Sequence, residues 1–182
     1  SSFRDIRNTT TSYALYAQAD YQISDRFTLV AGGRYTEEEK KIDLKSTGYG
    51  GMTTADLIAA GIDTKLDTGE FTPKLGIEFQ ASNDVMLFAS ATRGFKAGGW
   101  NSRTAYIPQT FEPMTPEKTT SYEVGIKSEL FDRRLRLNVG AFLAETDDLQ
   151  LNYTTPGPIP GTALSTQANA GDVEIRGIEL EL

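Results

Sequence analysis

The chain has 182 residues and a formal charge of −7, a length that suits one domain or a piece of a larger one. The acidic balance argues against nucleic acid as a partner, because a nucleic-acid binder shows a basic patch or stripe. Cysteine and histidine are both absent, which excludes disulfides, thiolate metal sites, HExxH zinc sites and His-based catalysis within this segment.

Seven strand candidates follow one another along the chain. Ser12–Ile23 sets Tyr13, Leu15, Ala17, Ala19, Tyr21 and Ile23 against Ser12, Ala14, Tyr16, Gln18, Asp20 and Gln22, and successive side chains of a strand point to opposite faces. Phe27–Thr36 repeats the pattern with Phe27, Leu29, Ala31, Gly33 and Tyr35. A long connection, Glu37–Gly69, comes next; its "EEEKK" stretch, Glu37–Lys41, reads as a solvated strand extension. Thr54 as N-cap, Ala55–Ala60 as body and Gly61 past the end predict a short helix within it. Glu70–Gln80 sets Phe71, Pro73, Leu75, Ile77 and Phe79 on one face. Val85–Lys96 follows the Ser82-Asn83-Asp84 turn, with apolar residues on both faces. Thr119–Leu130 alternates Tyr122, Val124, Ile126 and Leu130 with Glu123, Gly125, Lys127 and Glu129. Leu135–Glu145 and Asp172–Leu182 complete the set. In the last, either Gly177 marks a β-bulge, or Asp172, Glu174, Arg176, Ile178, Leu180 and Leu182 form one outward face.

The connections alternate in length. Those near Asp25, Asn83 and Asp132 are tight and use turn-forming residues. Glu37–Gly69, Ala97–Lys118 and Thr146–Gly171 are long, and long irregular loops are often functional. Short turns at one end and long loops at the other are the pattern of an outer-membrane barrel. No run of 18 apolar residues is present, so no transmembrane helix is expected, but that leaves a barrel open. Aromatics sharpen the reading. Tyr13 and Tyr21, Phe27 and Tyr35, and Phe71 and Phe79 each lie eight apart on one face. That separation rises about 26 Å along a strand, near the height of an apolar band between two aromatic girdles. On this reading Val124 lies near mid-bilayer. The other face carries Gln18, Asp20, Arg34, Lys74, Glu78, Glu123, Lys127, Arg136 and Asn138 and would meet a hydrated lumen. The expected fold is all-β, an antiparallel up-and-down meander of about seven strands forming part of a transmembrane outer-membrane β-barrel. A soluble β-sandwich that binds carbohydrate or another ligand through its long loops is the alternative. An outer-membrane enzyme is a third reading, disfavoured by the missing histidine.

Five stretches in order carry a family resemblance: Ser12–Lys40, Phe71–Phe79, Ala91–Asn101, Phe111–Phe142 and Ala168–Leu182. Together they resemble the barrel domain of TonB-dependent outer-membrane receptors over nearly the whole chain outside the long loops. The resemblance implies a 22-stranded barrel with a plugged lumen that imports a scarce ligand, most readily a ferric siderophore or similar iron complex. It implies the lipid bilayer and the TonB complex as partners, the latter through an N-terminal segment expected to lie outside residues 1–182. Residues 1–182 are therefore expected to be an internal piece of the barrel, without plug, TonB box or barrel C-terminus. No cofactor is expected and no covalent chemistry.

The candidate ligand contacts cluster in "TRGFKAGGWN", Thr92–Asn101, and just beyond it. Arg93, Lys96 and Arg103 are cations suited to an anionic chelate. Trp100 and Tyr106 offer aromatic faces, and Gly98-Gly99 permits a bend. The competing reading makes Phe95 and Trp100 interface anchors. Tyr49, Phe111 and Tyr153 are further loop aromatics.

Overall fold

The computed structural model describes residues 3–47, 51–101, 111–157 and 161–182. In chain order these form β1 (Phe3–Ser24), β2 (Phe27–Thr47), α1 (Thr54–Ala59), β3 (Lys65–Ser82), β4 (Val85–Lys96), β5 (Gly99–Trp100), β6 (Pro113–Met114), β7 (Glu117–Leu130), β8 (Leu135–Asp147), β9 (Gln150–Pro156), β10 (Ala163–Asn169) and β11 (Val173–Glu181). One antiparallel sheet runs β1-β2-β3-β4-β7-β8-β11. It is the expected seven-stranded meander, each strand beside the next except where β5-β6 and β9-β10 form small ladders within the long connections.

The register turns the sequence alternation into two continuous surfaces. One row crosses all seven strands as Tyr21, Leu29, Ile77, Ala89, Val124, Ala141 and Ile178. Every member is apolar or aromatic, and Tyr21, Val124 and Ile178 stand exposed. The neighbouring row on the opposite face reads Asp20, Val30, Gly76, Ser90, Glu123, Phe142 and Gly177. Apolar side chains thus cover the outside of the sheet without packing on protein, and the ionised ones line the inside. Ser128 has outward parity, but its hydroxyl donates to the Leu137 carbonyl at 2.7 Å, which keeps that polar atom paired.

The upper limit of the outward apolar band is oblique. The first outward-facing charge above it is Glu37 on β2, Arg93 on β4, Glu145 on β8 and Arg176 on β11. Arg176 shares a cross-strand row with Ala31, so Glu37 stands six residues higher on its own strand. Six residues rise about 20 Å and five strand intervals span about 24 Å, so the limit descends at about 40° to the rows. Strands tilted by about 35–45° in a flat membrane would give such a slope. The limit also moves the mid-band position on β7. Tyr122 and Leu130 bound the outward apolar set, so Ile126 lies at its centre and Val124 one step nearer the outer rim.

Three details depart from the sequence reading. The strands β1, β2 and β3 run far above the apolar band, so the first long connection shrinks to the segment between Thr47 and Lys65. Above the bilayer both faces of a ribbon are wet, and hydrophobic alternation no longer marks strand. Glu37–Lys41 continues β2, as expected. The helix begins one residue earlier than Thr54 as N-cap implies. Thr53 is the N-cap, and its backbone N–H and hydroxyl both donate to Asp56 Oδ2 at 2.8 Å. The Thr54 hydroxyl is engaged with Leu44 instead. Finally, Gly177 is no bulge. Register is unbroken through Gly177↔Phe142, and the Phe142 ring covers the glycine so closely that a Cβ there would meet it at 2.8 Å. Phe88 covers Gly125 in the same way.

Candidate functional site

Most of the fully buried side chains gather above the membrane band, under the outer loops. Ile42, Leu44, Met52, Leu57, Trp100 and Phe111 form one buried cluster, flanked by Ile6, Ile62 and Leu66. Ile42 and Leu44 share the parity of Arg34 and Thr36, the lumen side of β2. The apolar face of β2 therefore switches from outward to inward where the strand leaves the bilayer. That switch gives α1 a surface to pack on, and its buried residue Leu57 is the contact.

Polar contacts tie the three connections together over this core. The Trp100 indole N–H donates to the Asp63 carbonyl at 2.6 Å. Lys40 donates to the Gly98 carbonyl at 2.8 Å and lies 3.1 Å from Glu38. A side chain at Gly98 would collide with the Met114 carbonyl, so the close approach of β5 to β6 requires glycine there. Gln150 bridges onward, its side chain donating to the carbonyls of Ala97 and Thr115 and its backbone N–H to Glu117. Asn169 donates to the Thr115 and Asp148 carbonyls and accepts from Thr115 N–H.

An ion-pair network stiffens the ribbon beside α1. Lys41 and Lys65 approach Glu39 at 2.7 and 2.8 Å, and Lys65 also reaches Asp67 at 3.1 Å. Hydrogen bonds from Lys41 and Lys65 hold the Glu39 carboxyl down at about 2. The Thr53 hydroxyl and N–H lower Asp56, and Glu39 and Asp67 raise Lys65. A carboxyl lowered on folding adds stability above its unfolded value and loses it as pH falls through the folded one. For Glu39 that window runs from 4.5 down to about 2. A raised lysine adds stability below its unfolded value, 10.5 for Lys65, and loses it above. Hydrogen exchange at α1 and upper β2, corrected for intrinsic rate, is therefore expected to accelerate below pH 4.5 and again above pH 10.5. Glu39→Gln should remove the part of the acid limb seen at upper β2, and Asp56→Asn the part seen at α1.

The sequence candidates do not converge on one spot. Arg93 has outward parity, beside Ala91 and Leu87 on the lipid side of β4. Lys96 has lumen parity and pairs with Glu117 at 3.6 Å. Trp100 is almost wholly buried in the loop core, so its ring offers no open stacking face here. Arg103 and Tyr106, with Tyr49, lie outside the described residues. Phe111 is completely buried, and Tyr153 stands half exposed on β9. The sequence signal for the loop core was the alternation of Ile42 and Leu44 with Lys41 and Asp43, on the parity opposite to Tyr35. On the lumen wall, Arg34 and Lys74 stand exposed on neighbouring strands around Gly32, with Tyr16 and Gln18 beside them.

Comparisons with known proteins agree with this geometry. A family model described as "TonB dependent receptor-like, beta-barrel" matches residues 1–182. The pesticin receptor of Yersinia pestis is 28% identical over 174 residues, which is 95% of this chain and 23% of that protein. The ferric-pyoverdine M114 receptor of Pseudomonas sp. (strain M114) is 30% identical over 171 residues, 93% of this chain and 19% of that one. Among solved structures, the ferric yersiniabactin uptake receptor from Yersinia pestis superposes with a TM-score of 0.75 at 21% identity, covering 98% of this chain and 25% of its own. The siderophore receptor of Acinetobacter baumannii gives 0.70 at 21%, covering 97% and 23%. The chain thus spans a quarter or less of each of these four relatives. A sheet with a lipid face, a charged lumen face and inward-folded outer loops, matched along its whole length, belongs to the TonB-dependent receptor β-barrel family and forms part of the wall of an outer-membrane barrel.

Proposed function

We propose that this wall belongs to a receptor that captures a ferric siderophore, or a similar iron complex, and imports it with energy from the TonB complex. The observation that carries the reading is the two-faced sheet capped on its hydrated side by a folded loop core. That arrangement sets a ligand vestibule above a charged lumen. Relatives named for ferric pyoverdine and ferric yersiniabactin support iron chelates as the ligand class. The coupling segment and the plug belong to parts of the receptor outside residues 1–182. The work done is transport, with binding and release but no covalent step.

The test is uptake of radioactive iron by cells lacking the full-length receptor, supplied with ferric siderophores of different chelating chemistry. Uptake of at least one should fall on deletion, return with the intact gene, and vanish when TonB is removed. Unchanged uptake of every iron chelate after deletion would overturn the reading.

A further inference from the structure

The outward face of the wall carries a recess of about 570 Å³ where the upper aromatic girdle meets water. Tyr13 on β1, Tyr35, Glu37 and Glu39 on β2, and Asp67 and Gly69 on β3 line it, and all six have outward parity. Glu37 is at its centre. Tyr13 stands directly opposite Glu37 on one side and Gly69 directly opposite on the other. Tyr35 fills the space above Gly69, where a Cβ would meet the Tyr35 hydroxyl at 2.9 Å. The same hydroxyl donates to Glu37 Oε1 at 3.4 Å. One carboxylate thus lies between two exposed phenol rings.

The charges around Glu37 are neutralised and its own is not. Glu39 is held by Lys41 and Lys65, Asp67 by Lys65, and Glu38, on the opposite parity, by Lys40. Glu37 has no ion-pair partner among the described residues. A divalent cation takes several oxygen ligands, and among the described residues no three acidic side chains are placed to supply them. A single carboxylate with an aromatic ring on either side suits an ammonium group instead. Tyr13 and Tyr35 are diagonal neighbours across the β1–β2 ladder, about 7–8 Å apart. A cation over Glu37 can therefore lie within about 6 Å of both rings.

Height decides what brings the ammonium. Glu37 is the first outward charge above the apolar band on β2, at the level of lipid headgroups. Beneath it the outward side chains of β1 and β2 are apolar or aromatic down to Tyr21 and Leu29. Ala17, Ala19 and Ala31 keep that track low against the backbone, which gives an acyl chain room to lie there. We infer that Tyr13, Tyr35 and Glu37 form a headgroup site on the outer surface of the barrel, taking the primary ammonium of a membrane lipid whose chains lie on the apolar band. The inference depends on the membrane wall and not on the imported ligand.

The experiment uses the purified full-length receptor, delipidated in detergent, and three probes counted by native mass spectrometry. They are phosphatidylethanolamine, its N-acetyl derivative with the same acyl chains, and free phosphoethanolamine. The N-acetyl lipid keeps the phosphate and the chains but lacks the ammonium. Wild type should bind phosphatidylethanolamine about tenfold more tightly than the N-acetyl lipid, and free phosphoethanolamine only weakly. The double variant Tyr13→Leu/Glu37→Gln should lose that preference and bind the N-acetyl lipid as before. Glu37→Asp should keep part of the preference. Tyr21→Leu, an outward tyrosine at the other end of the apolar band, should keep all of it. Equal affinity of wild type for the two lipids overturns the inference. So does a preference that survives in the double variant, or one that Tyr21→Leu also removes, which would make it a property of the whole barrel surface. Loss of both lipids in the double variant overturns it as damage to the fold. Phosphoethanolamine binding as tightly as the lipid would make the source a soluble amine and overturn the lipid assignment. Iron uptake in cells tests the receptor reading separately, and none of these outcomes bears on it.

Discussion

Ile126→Arg in the complete receptor is expected to cost about 2–4 kcal/mol of folding stability, the depth-dependent penalty for a guanidinium on the lipid face of a barrel near mid-bilayer. Ile126 is central to the outward set bounded by Tyr122 and Leu130, in a row with Leu87, Val139 and Leu180. None of these neighbours offers a polar partner. Val124→Arg should cost less, because position 124 is one step nearer the outer rim, where a long side chain reaches headgroups. Glu123→Arg should cost least, since its parity faces the hydrated lumen. Equilibrium unfolding in detergent or lipid gives the ranking. A penalty at position 123 as large as that at 126 would contradict the two-faced wall.

Phe111→Ala is expected to open the loop core without melting the barrel. Phe111 is completely buried beside Leu57, Ile42 and Leu44, and truncation of a buried phenylalanine costs about 3–5 kcal/mol. A cluster this small has little reserve, so the loss should appear as local opening rather than global unfolding. Hydrogen exchange should lose protection at Leu57, Ala60 and Ile42, whose amides donate to Thr53, Asp56 and Thr64. Protease should then cut near α1 in intact cells. Protection of the β7–β8 ladder should not change. Unaltered protection at α1 would mean that the core does not hold the loops.

What the sequence disclosed depended on the solvent around each segment. Inside the bilayer one face must be apolar and the other hydrated, so period-two alternation was strong in Tyr13–Tyr21, Phe27–Tyr35 and Phe71–Phe79. The tight turns were plain because Ser24 and Ser82 precede them, and each hydroxyl accepts a turn N–H. Outside the bilayer that rule lapses. Residues Phe3–Thr11 and Glu39–Thr47 pair residue for residue in one ladder, yet apart from the strand extension that ends at Lys41 their polar pattern reads as loop. The loop core was harder still. Leu57, Trp100 and Phe111 each resemble an isolated loop hydrophobe, and only tertiary folding brings them onto Ile42 and Leu44. The same burial removes Trp100 from open ligand contact, and strand parity turns Arg93 outward. Short motif reasoning weighed the chemistry of those residues without their direction.

The account stands most directly on the direction of alternate side chains along β7. Single cysteines at Tyr122, Glu123, Val124, Ile126 and Lys127 of the otherwise native receptor, in vesicles, put that to measurement. Fluorophores at 122, 124 and 126 should be quenched by spin labels on acyl chains, most deeply at 126. The free thiols there should resist water-soluble reagents. Thiols at 123 and 127 should escape lipid quenching and react from water wherever the lumen is open. Loss of this alternation, or thiols at 124 and 126 beyond the reach of lipid, would mean that Tyr122, Val124 and Ile126 pack on protein, and the membrane wall would be wrong.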